Sequence, residues 1–174
     1  MAWEITAEEL LARYADGERD FRGIELIQSE GVPQDCMIDL EGAILRDINL
    51  RGAYLRQAFL TGADLTGADL FGVCLERAWL NGAIIRDANL YSANLRWCDL
   101  TGADLGGTNL AQMNATRALF CGANIRSFEF AILIKTNFRN AYIAPNIIWS
   151  YGNFVYETIM PDGSIKNGPF FGEF

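Results

Sequence analysis

A repeat of five residues dominates this sequence and leaves few folds open to it. From Leu40 to Phe130 every fifth residue is large and apolar at 18 of 19 positions, and Ala115 is the exception. The residue two places earlier is usually small, and it is Ala at 12 of 19 positions. A period of five matches neither an α-helix nor a coiled coil, so the pattern predicts a solenoid of very short strands.

Strand geometry assigns a direction to each residue of the repeat. Residues two apart share a face of a strand, so the small and the large residue both point inward and the one between them points outward. That central residue is Asp or Asn at 11 of 19 positions, as exposure to water requires. Met113 occupies a small site where Ala115 occupies the large one, so the core volume is exchanged and not lost.

The remaining two residues of each repeat turn a corner, and the glycines at these corners indicate how many sides one coil has. One set of corners, spaced by four repeats, is all glycine: Gly42, Gly62, Gly82, Gly102 and Gly122. A second set has no glycine: Gln57, Arg77, Trp97 and Arg117. A spacing of three repeats mixes the two, so we predict four sides per coil. We expect type II turns along the glycine column and a different turn along the bulky column.

Runs such as Ala63-Asp64-Leu65-Thr66-Gly67 resemble the pentapeptide-repeat family. The resemblance covers residues 38–130 closely, and residues 20–26 and 131–154 loosely. It implies an all-β fold, a right-handed quadrilateral parallel β-helix with four pentapeptides per coil, in agreement with the glycine spacing. The family is common in bacteria. Some members mimic DNA and bind type II topoisomerases such as DNA gyrase, and membership alone does not fix a function.

We expect residues 1–20 to form a capping helix in front of the solenoid, because the open end of a solenoid must be covered. Thr6 and Glu9 have the spacing of a capping box, which predicts a short helix over about 7–15 that ends at Gly17.

The solenoid itself is expected over residues 21–143, with a loop at 27–36 and a regular part at 38–130. Near residue 131 the repeat restarts in a new register, so an insertion or deletion should distort one corner. Residues 144–174 form the C-terminal cap in this interpretation.

The C-terminal cap is rich in apolar residues, and two interpretations stay open for them. They cover the last coil, or they form a surface through which two copies assemble tail to tail as a homodimer. The candidate dimer surface comprises Ile147, Ile148, Trp149, Phe170 and Phe171.

Charge gives only weak support to DNA mimicry. The net charge is −8, but residues 1–35 hold nine acidic and three basic residues, and residues 38–130 hold ten acidic residues and eight arginines. The rod is therefore nearly neutral and the N-terminal cap is acidic. A DNA mimic that binds DNA gyrase is the alternative function, and direct binding of nucleic acid is not expected.

Composition argues against most catalytic chemistry. The chain has no histidine, and Cys36, Cys74, Cys98 and Cys121 form no C-x-x-C pair, so we expect no metal site, no cofactor and no enzyme. Free thiols suit the cytoplasm. No run of 18 apolar residues exists, so no contact with a membrane is expected.

Outward aromatic residues provide the best candidate site. Phe59 and Trp79 occupy the same face on successive coils, and Trp97 and Arg77 lie at the adjoining corner. Aromatic residues and arginine are enriched where proteins bind proteins, so we predict a scaffold or interaction rod with an unknown protein partner. The alternative is that the stacked rings only stabilise neighbouring strands.

Overall fold

A computed structural model describes residues 3–29, 38–149 and 152–171, and it does not describe the side chains of residue 145 and residues 168–171. The predicted loop at 27–36 lies mostly outside the described residues. The right-handed sense of the coil stays a prediction.

The chain winds as a four-sided solenoid of the β-helix type. Single residues at the centre of each side pair in parallel with the central residue four repeats later, and these bridges form four ladders. We name the sides by their central residues. Face A carries Asp39, Phe59, Trp79, Asp99 and Leu119; face B carries Ile44, Asp64, Ile84, Asp104 and Asn124; face C carries Asn49, Asp69, Asn89 and Asn109; face D carries Tyr54, Cys74, Asn94 and Asn114. The predicted coil of four pentapeptides is confirmed.

The interior is filled from the two inward sites of each repeat. The large residues, such as Leu65 and Leu90, are almost completely buried, and so are small ones such as Ala68. Met113 and Ala115 are both fully buried, as the exchange of volumes predicted. Burying a leucine side chain contributes about 1.5–3 kcal/mol, so the stacked leucines are the main source of stability of the rod.

All four corners share one backbone conformation, and the expected difference between the glycine column and the bulky column is wrong. The second corner residue has a φ of 63° at Gly42, 58° at Gln57 and 62° at Trp97. The ladder dictates this geometry, because the N–H of Gly42 binds Thr61 O at 2.9 Å and the N–H of Gln57 binds Glu76 O at 3.0 Å. A residue with a side chain bears a cost of about 1–2 kcal/mol there.

The N-terminal cap combines a helix with one strand that the sequence did not predict. Strand β1 (Trp3–Thr6) precedes helix α1 (Ala7–Ala15) and pairs in parallel with β2 (Ile24–Ile27) in the first coil. Thr6 Oγ1 accepts the N–H of Glu9 at 3.2 Å, and Gly17 with a φ of 98° follows the last turn. The predicted helix is confirmed. The carboxylate of Glu9 lies 3.5 Å from Arg13 in an i,i+4 ion pair.

One coil is shorter than the others by two positions, and its place confirms the predicted slip of register. Bridges such as Asn114 to Ile132 and Leu119 to Asn137 join residues whose numbers differ by 18 and not by 20. Face C is the side that loses residues. Phe128 lies inside and is 2% exposed, whereas Phe130 is 47% exposed with a φ of 51°.

The assignment of Phe130 to an inward site is therefore wrong, and Glu129 does not continue the column of Asn109. In the short coil Phe128 takes the small site, and the chain turns the next corner at once through Glu129 and Phe130. The central residue and the large inward residue of that side are missing. The ring of Phe128 takes the place of the absent leucine and stacks on Phe138 at a centroid distance of 5.8 Å.

The C-terminal region closes the solenoid with a short helix and a hairpin. Strand β3 (Asp104–Leu105) pairs with β4 (Asn124–Ile125), and β5 (Ile132–Ile134) pairs in parallel with β6 (Phe154–Ile159). Helix α2 (Pro145–Trp149) precedes β6 (Phe154–Ile159), which pairs antiparallel with β7 (Ile165–Phe171). Within the part of the chain described here, neither helix is long and apolar enough to cross a membrane.

Candidate protein-binding surface

The predicted aromatic residues of face A lie in contact with each other. Phe59 and Trp79 stand on successive coils with ring centroids 5.8 Å apart and planes inclined by 69°, an edge-to-face pair. Both are half-buried, so one side of each ring packs on the rod and the other faces solvent. Rigid strands hold them on both sides, which fixes the apolar surface they present.

Trp97 lies at the corner between faces D and A and is 43% exposed. The guanidinium of Arg117, one coil further along the same corner, lies 4.3 Å from the centre of its ring. Arg77 lies one coil earlier in this column and is exposed. Among the described residues it is Arg117 and not Arg77 that covers the tryptophan.

A second aromatic stack, at the corner between faces C and D, provides a comparison. The rings of Phe71 and Tyr91 are stacked with nearly parallel planes, and their centroids lie 5.4 Å apart. Arg51 lies 4.2 Å above the Phe71 ring and pairs with Asp69 at 3.1 Å. Stacking between coils accounts for this cluster without a partner.

Ion pairs between successive coils neutralise much of the acidity of the rod. Arg46 binds Asp64 at 2.6 Å and Arg86 binds Asp104 at 2.5 Å, each from a corner to face B of the next coil. Partial burial works against the charged carboxylate of Asp64, yet hydrogen bonds from Thr66 and Arg46 outweigh it and lower its pKa. The same balance, with Arg86 as the first donor, lowers the pKa of Asp104.

These ion pairs were missed by the sequence interpretation, although a coil of four pentapeptides predicts them. The first corner residue of a repeat follows the central residue of that repeat by two places. The central residue of the next coil lies directly above, so it is also close to this corner residue. On face C the ion pair of Arg51 with Asp69 is joined by a hydrogen bond within the column, in which Asn89 Nδ2 donates to Asp69 Oδ1 at 3.1 Å. The polar central residues of faces B and C are thus paired with neighbouring side chains.

The cysteines offer little reactive chemistry. Cys98 fills an inward site, and burial raises its pKa to about 12, so its thiol stays protonated. Burial also raises the pKa of Cys121. Cys74 is half-buried and accepts a hydrogen bond from Arg56 Nε at 3.3 Å, and Cys36 lies outside the described residues. Residues 3–29, 38–149 and 152–171 contain no cluster of three groups that could hold a metal ion.

The candidate dimer surface is partly corrected by the structure. Ile148 is completely buried in the core, so it cannot contribute to a surface. Ile147 and Trp149 are half-buried, and Lys166 Nζ lies 6.0 Å from the centre of the Trp149 ring. The side chains of Phe170 and Phe171 lie outside the described residues. Assembly through this end stays a prediction.

Comparison with known proteins agrees with this architecture. The family profile for pentapeptide repeats matches in eight copies, over residues 38–72, 48–87, 68–107 and 98–127. No protein with a curated description matches the chain.

Three solved structures with the same kind of repeat resemble it. A pentapeptide repeat protein from the thylakoid lumen of Arabidopsis thaliana is 31% identical over 52% of this chain and 63% of its own length, with a TM-score of 0.50. One from Nostoc PCC 7120 is 30% identical over 66% of this chain and 84% of its own, with a TM-score of 0.33. HetL from the same strain, a protein involved in the regulation of heterocyst differentiation, is 24% identical over 93% and 100%, with a TM-score of 0.26.

Proposed function

The chain belongs to the pentapeptide repeat family, and from this premise we propose that it is a non-enzymatic rod that binds a protein partner through face A and the adjoining corner. The candidate patch comprises Phe59, Trp79, Trp97 and Arg77, to which we add Arg117 because it covers Trp97. The partner itself is not specified by these residues.

Trp97 is the observation that carries the proposal. It combines a large exposed ring with a φ of 62°, a backbone conformation that costs a bulky residue about 1–2 kcal/mol. The same corner position is glycine elsewhere in the coil, for example at Gly102. Gln57 and Arg77 share this conformation, so it is the large exposed ring and its contact with Arg117 that distinguish Trp97. Tryptophan and arginine are also among the residues most enriched in binding hot spots.

Site-specific photo-crosslinking tests the proposal. A photoreactive amino acid at Asp99, beside Trp79 on face A, should capture a partner in cells of the native host, and Trp97→Ala should abolish that capture. The same probe at Asn94 on face D serves as the control and should capture nothing. If capture is equal at both positions, or survives Trp97→Ala with Trp79→Ala, the patch does not bind the partner.

DNA mimicry stays the alternative, and the charges support it less well. A mimic needs rows of unpaired carboxylates, whereas Asp64, Asp69 and Asp104 each pair with an arginine. We expect no effect on supercoiling by purified DNA gyrase at excess protein. Inhibition or protection of the enzyme would favour the mimic over the rod.

We also propose that the protein works in the cytoplasm and that no cofactor is required. The thiols of Cys74, Cys98 and Cys121 are unpaired, which suits a reducing compartment. Tail-to-tail assembly is a third proposal, and the mass of the protein in solution tests it. A monomer at all concentrations would reject it.

A further inference from the structure

Arginines at the corners of the rod pair with the next coil wherever an acidic residue lies within reach. Each first corner residue stands beside the central residue of the next coil, and the arginines bind that residue where it is aspartate. Three ion pairs follow this rule: Arg46 with Asp64, Arg86 with Asp104 and Arg51 with Asp69. All three carboxylates lie on faces B and C, so these arginines neutralise charges of the chain itself.

The corner between faces D and A carries arginines that have no such pair. Successive coils place one arginine each at this corner: Arg56, Arg77, Arg96 and Arg117. All four are exposed, and in the part of the chain that the structure describes none of them forms an ion pair. We name these four residues the basic edge.

The basic edge stays unpaired because face D offers no carboxylate in the regular coils. The central residues of that face are Tyr54, Cys74, Asn94 and Asn114. Arg56 therefore donates to the sulfur of Cys74 at 3.3 Å, and Arg117 lies 4.3 Å from the centre of the Trp97 ring. Neither contact neutralises a guanidinium group, so the edge keeps its positive charge.

The basic edge borders the candidate patch on one side only. Phe59 and Trp79 lie on face A next to it, and Trp97 belongs to the same corner. The opposite border of face A carries uncharged side chains in these coils: Thr61, Asn81 and Thr101. A partner on face A therefore meets apolar rings beside a line of positive charge.

The spacing of the basic edge fits one face of an α-helix. Successive coils are about 4.8 Å apart, so the four arginines span about 14 Å along the rod. Helix positions i, i+3, i+7 and i+10 lie on one face, and at about 1.5 Å per residue they span about 15 Å. Alternate residues of an extended strand are about 6.7 Å apart and would run out of step with the coils. Four carboxylates on a helix can thus each meet one arginine.

We propose that the basic edge and the rings of face A bind an acidic amphipathic α-helix of a partner protein. Its carboxylates pair with the four arginines, and the apolar residues beside them cover Phe59, Trp79 and Trp97. Arginine suits this task because its guanidinium group can bind a carboxylate through two hydrogen bonds. The helix occupies the surface to which a function was assigned above, and its binding therefore rests on that proposed function.

A nucleic acid fits the basic edge less well than a helix with carboxylates. Glu76 lies between Arg56 and Arg96 in the column of first corner residues. On face A, Asp99 follows Trp79 in the ladder. A protein can place uncharged residues opposite these two carboxylates, whereas a nucleic acid carries a phosphate on every nucleotide. The net charge of −8 also repels a polyanion as a whole.

A second copy of this chain is a poorer match than a different protein. Its acidic N-terminal cap is the richest source of carboxylates, but several of them are already paired within the cap. Arg13 pairs with Glu9 and Glu18, and Arg22 pairs with Asp20. A partner with unpaired carboxylates therefore suits the basic edge better.

A designed peptide provides the probe. It has the sequence acetyl-Lys-Glu-Leu-Ala-Glu-Leu-X-Ala-Glu-Leu-X-Glu-Leu-Lys-amide, and a hydrocarbon link between the two residues X holds it helical. In a titration of the isotope-labelled protein, the indole N–H signals of Trp79 and Trp97 should shift saturably, and that of Trp3 in the N-terminal cap should not. We expect a dissociation constant of about 1 mM, because exposed ion pairs contribute little each.

Two losses of charge should weaken this binding. Replacing the four glutamates of the peptide by glutamine removes every ion pair and keeps the leucines. In the protein, Arg77→Gln, Arg96→Gln and Arg117→Gln are combined in an edge variant. Each exposed ion pair contributes about 1.5- to 5-fold to binding, so either change should raise the dissociation constant about tenfold or more.

The paired arginines provide the matched control. Arg46→Gln, Arg51→Gln and Arg86→Gln, combined in a control variant, change the net charge by the same amount at corners that do not border face A. Peptide binding should be unchanged at about 0.15 M salt, where charges more than about 8 Å apart are largely screened. Thermal unfolding should show the reverse, because only the control variant loses ion pairs of the folded protein.

Several results would overturn the proposal. They are equal binding of the glutamate and glutamine peptides, unweakened binding to the edge variant, and an equal loss in the control variant. The lack of any shift at about 10 mM peptide, roughly ten times the expected constant, is another. Tighter binding of a single-stranded oligothymidine than of the peptide would assign the edge to nucleic acid. Shifts that grow with protein concentration alone would assign it to a second copy.

Photo-crosslinking from Asp99 separates this proposal from the function on which it rests. Loss of capture in the edge variant, with capture kept in the control variant, supports an acidic partner. If capture survives in the edge variant but is abolished by Trp97→Ala, the patch binds a partner that is not acidic, and only the helix proposal fails. If the unsubstituted protein captures nothing, the proposed function fails as well.

Discussion

The regular coils and the short coil solve the same packing problem in different ways. In the regular coils each side buries one small and one large residue, as Ala88 and Leu90 do on face C, and the ladder pairs the backbone of one coil with that of the next. In the short coil the buried Phe128 is the one inward residue of that side, its ring stacks on Phe138, and the ladder is interrupted. The comparison shows that a side of the coil can lose two residues when a large ring takes the remaining inward site.

Removal of the phenylalanine ring is the change with the largest expected effect on stability. Phe128→Ala should destabilise the protein by about 3–5 kcal/mol, because the ring stacks on Phe138 and nothing else fills its volume. Leu90→Ala, its counterpart in a regular coil, should cost about 2–5 kcal/mol. Urea denaturation measures both. If Phe128→Ala costs less than about 1 kcal/mol, the ring does not replace the missing leucine.

The uniform corners give a smaller effect that probes the regular coils alone. Gly62→Ala should destabilise by about 1–2 kcal/mol through its φ of 66°, since a Cβ there would meet no atom within 4 Å. Gln57→Ala, at a non-glycine corner of the rod, already bears that cost and should change stability by less than about 0.5 kcal/mol. Equal effects in thermal unfolding would show that the ladder does not impose the corner geometry.

The smallest effect concerns the ion pairs between coils. The pKa of Asp64 is lowered in the folded protein, so its contribution is present above the unfolded value of about 3.9 and is lost as the pH falls through the folded value. Arg46 is 62% exposed, which limits the contribution to about 0.5–1 kcal/mol. Asp64→Asn should therefore flatten the fall of the melting temperature between about pH 5 and pH 2.5, to an extent set by this one pair. If the melting temperature of Asp64→Asn falls with decreasing pH as steeply as that of the unsubstituted protein, the ion pair does not contribute to stability.

Much of the rod follows from the sequence because the repeat fixes it locally. The spacing of Gly42 and Gly62 predicts the coil length, and alternation about each leucine predicts which side chains are buried. The ion pair of Arg46 with Asp64 becomes predictable only once the coil length is known, since the two residues are far apart in the chain.

The remainder depends on interactions that no local pattern records. A deletion near residue 131 is visible as a slip of phase, but Phe128 and Phe130 are equally apolar, and only the path of the chain decides which one turns inward. Strand β1 (Trp3–Thr6) was missed because so short a segment before a helix carries no alternating pattern of its own. The pairing of β1 with β2 comes from the exposed edge of the first coil.

The four equal corners have a consequence for how the molecule can change length. Each coil of the rod rises by about 4.8 Å along the axis and has four equivalent sides. Inserting four pentapeptides would move every residue beyond the insertion along the axis by the rise of one coil and would leave its orientation about the axis unchanged. Inserting one pentapeptide between Trp97 and the short coil would turn the short coil by a quarter of a revolution about the axis at almost constant axial distance. The orientation of one surface relative to another about the axis can thus change while their distance along the axis stays almost the same.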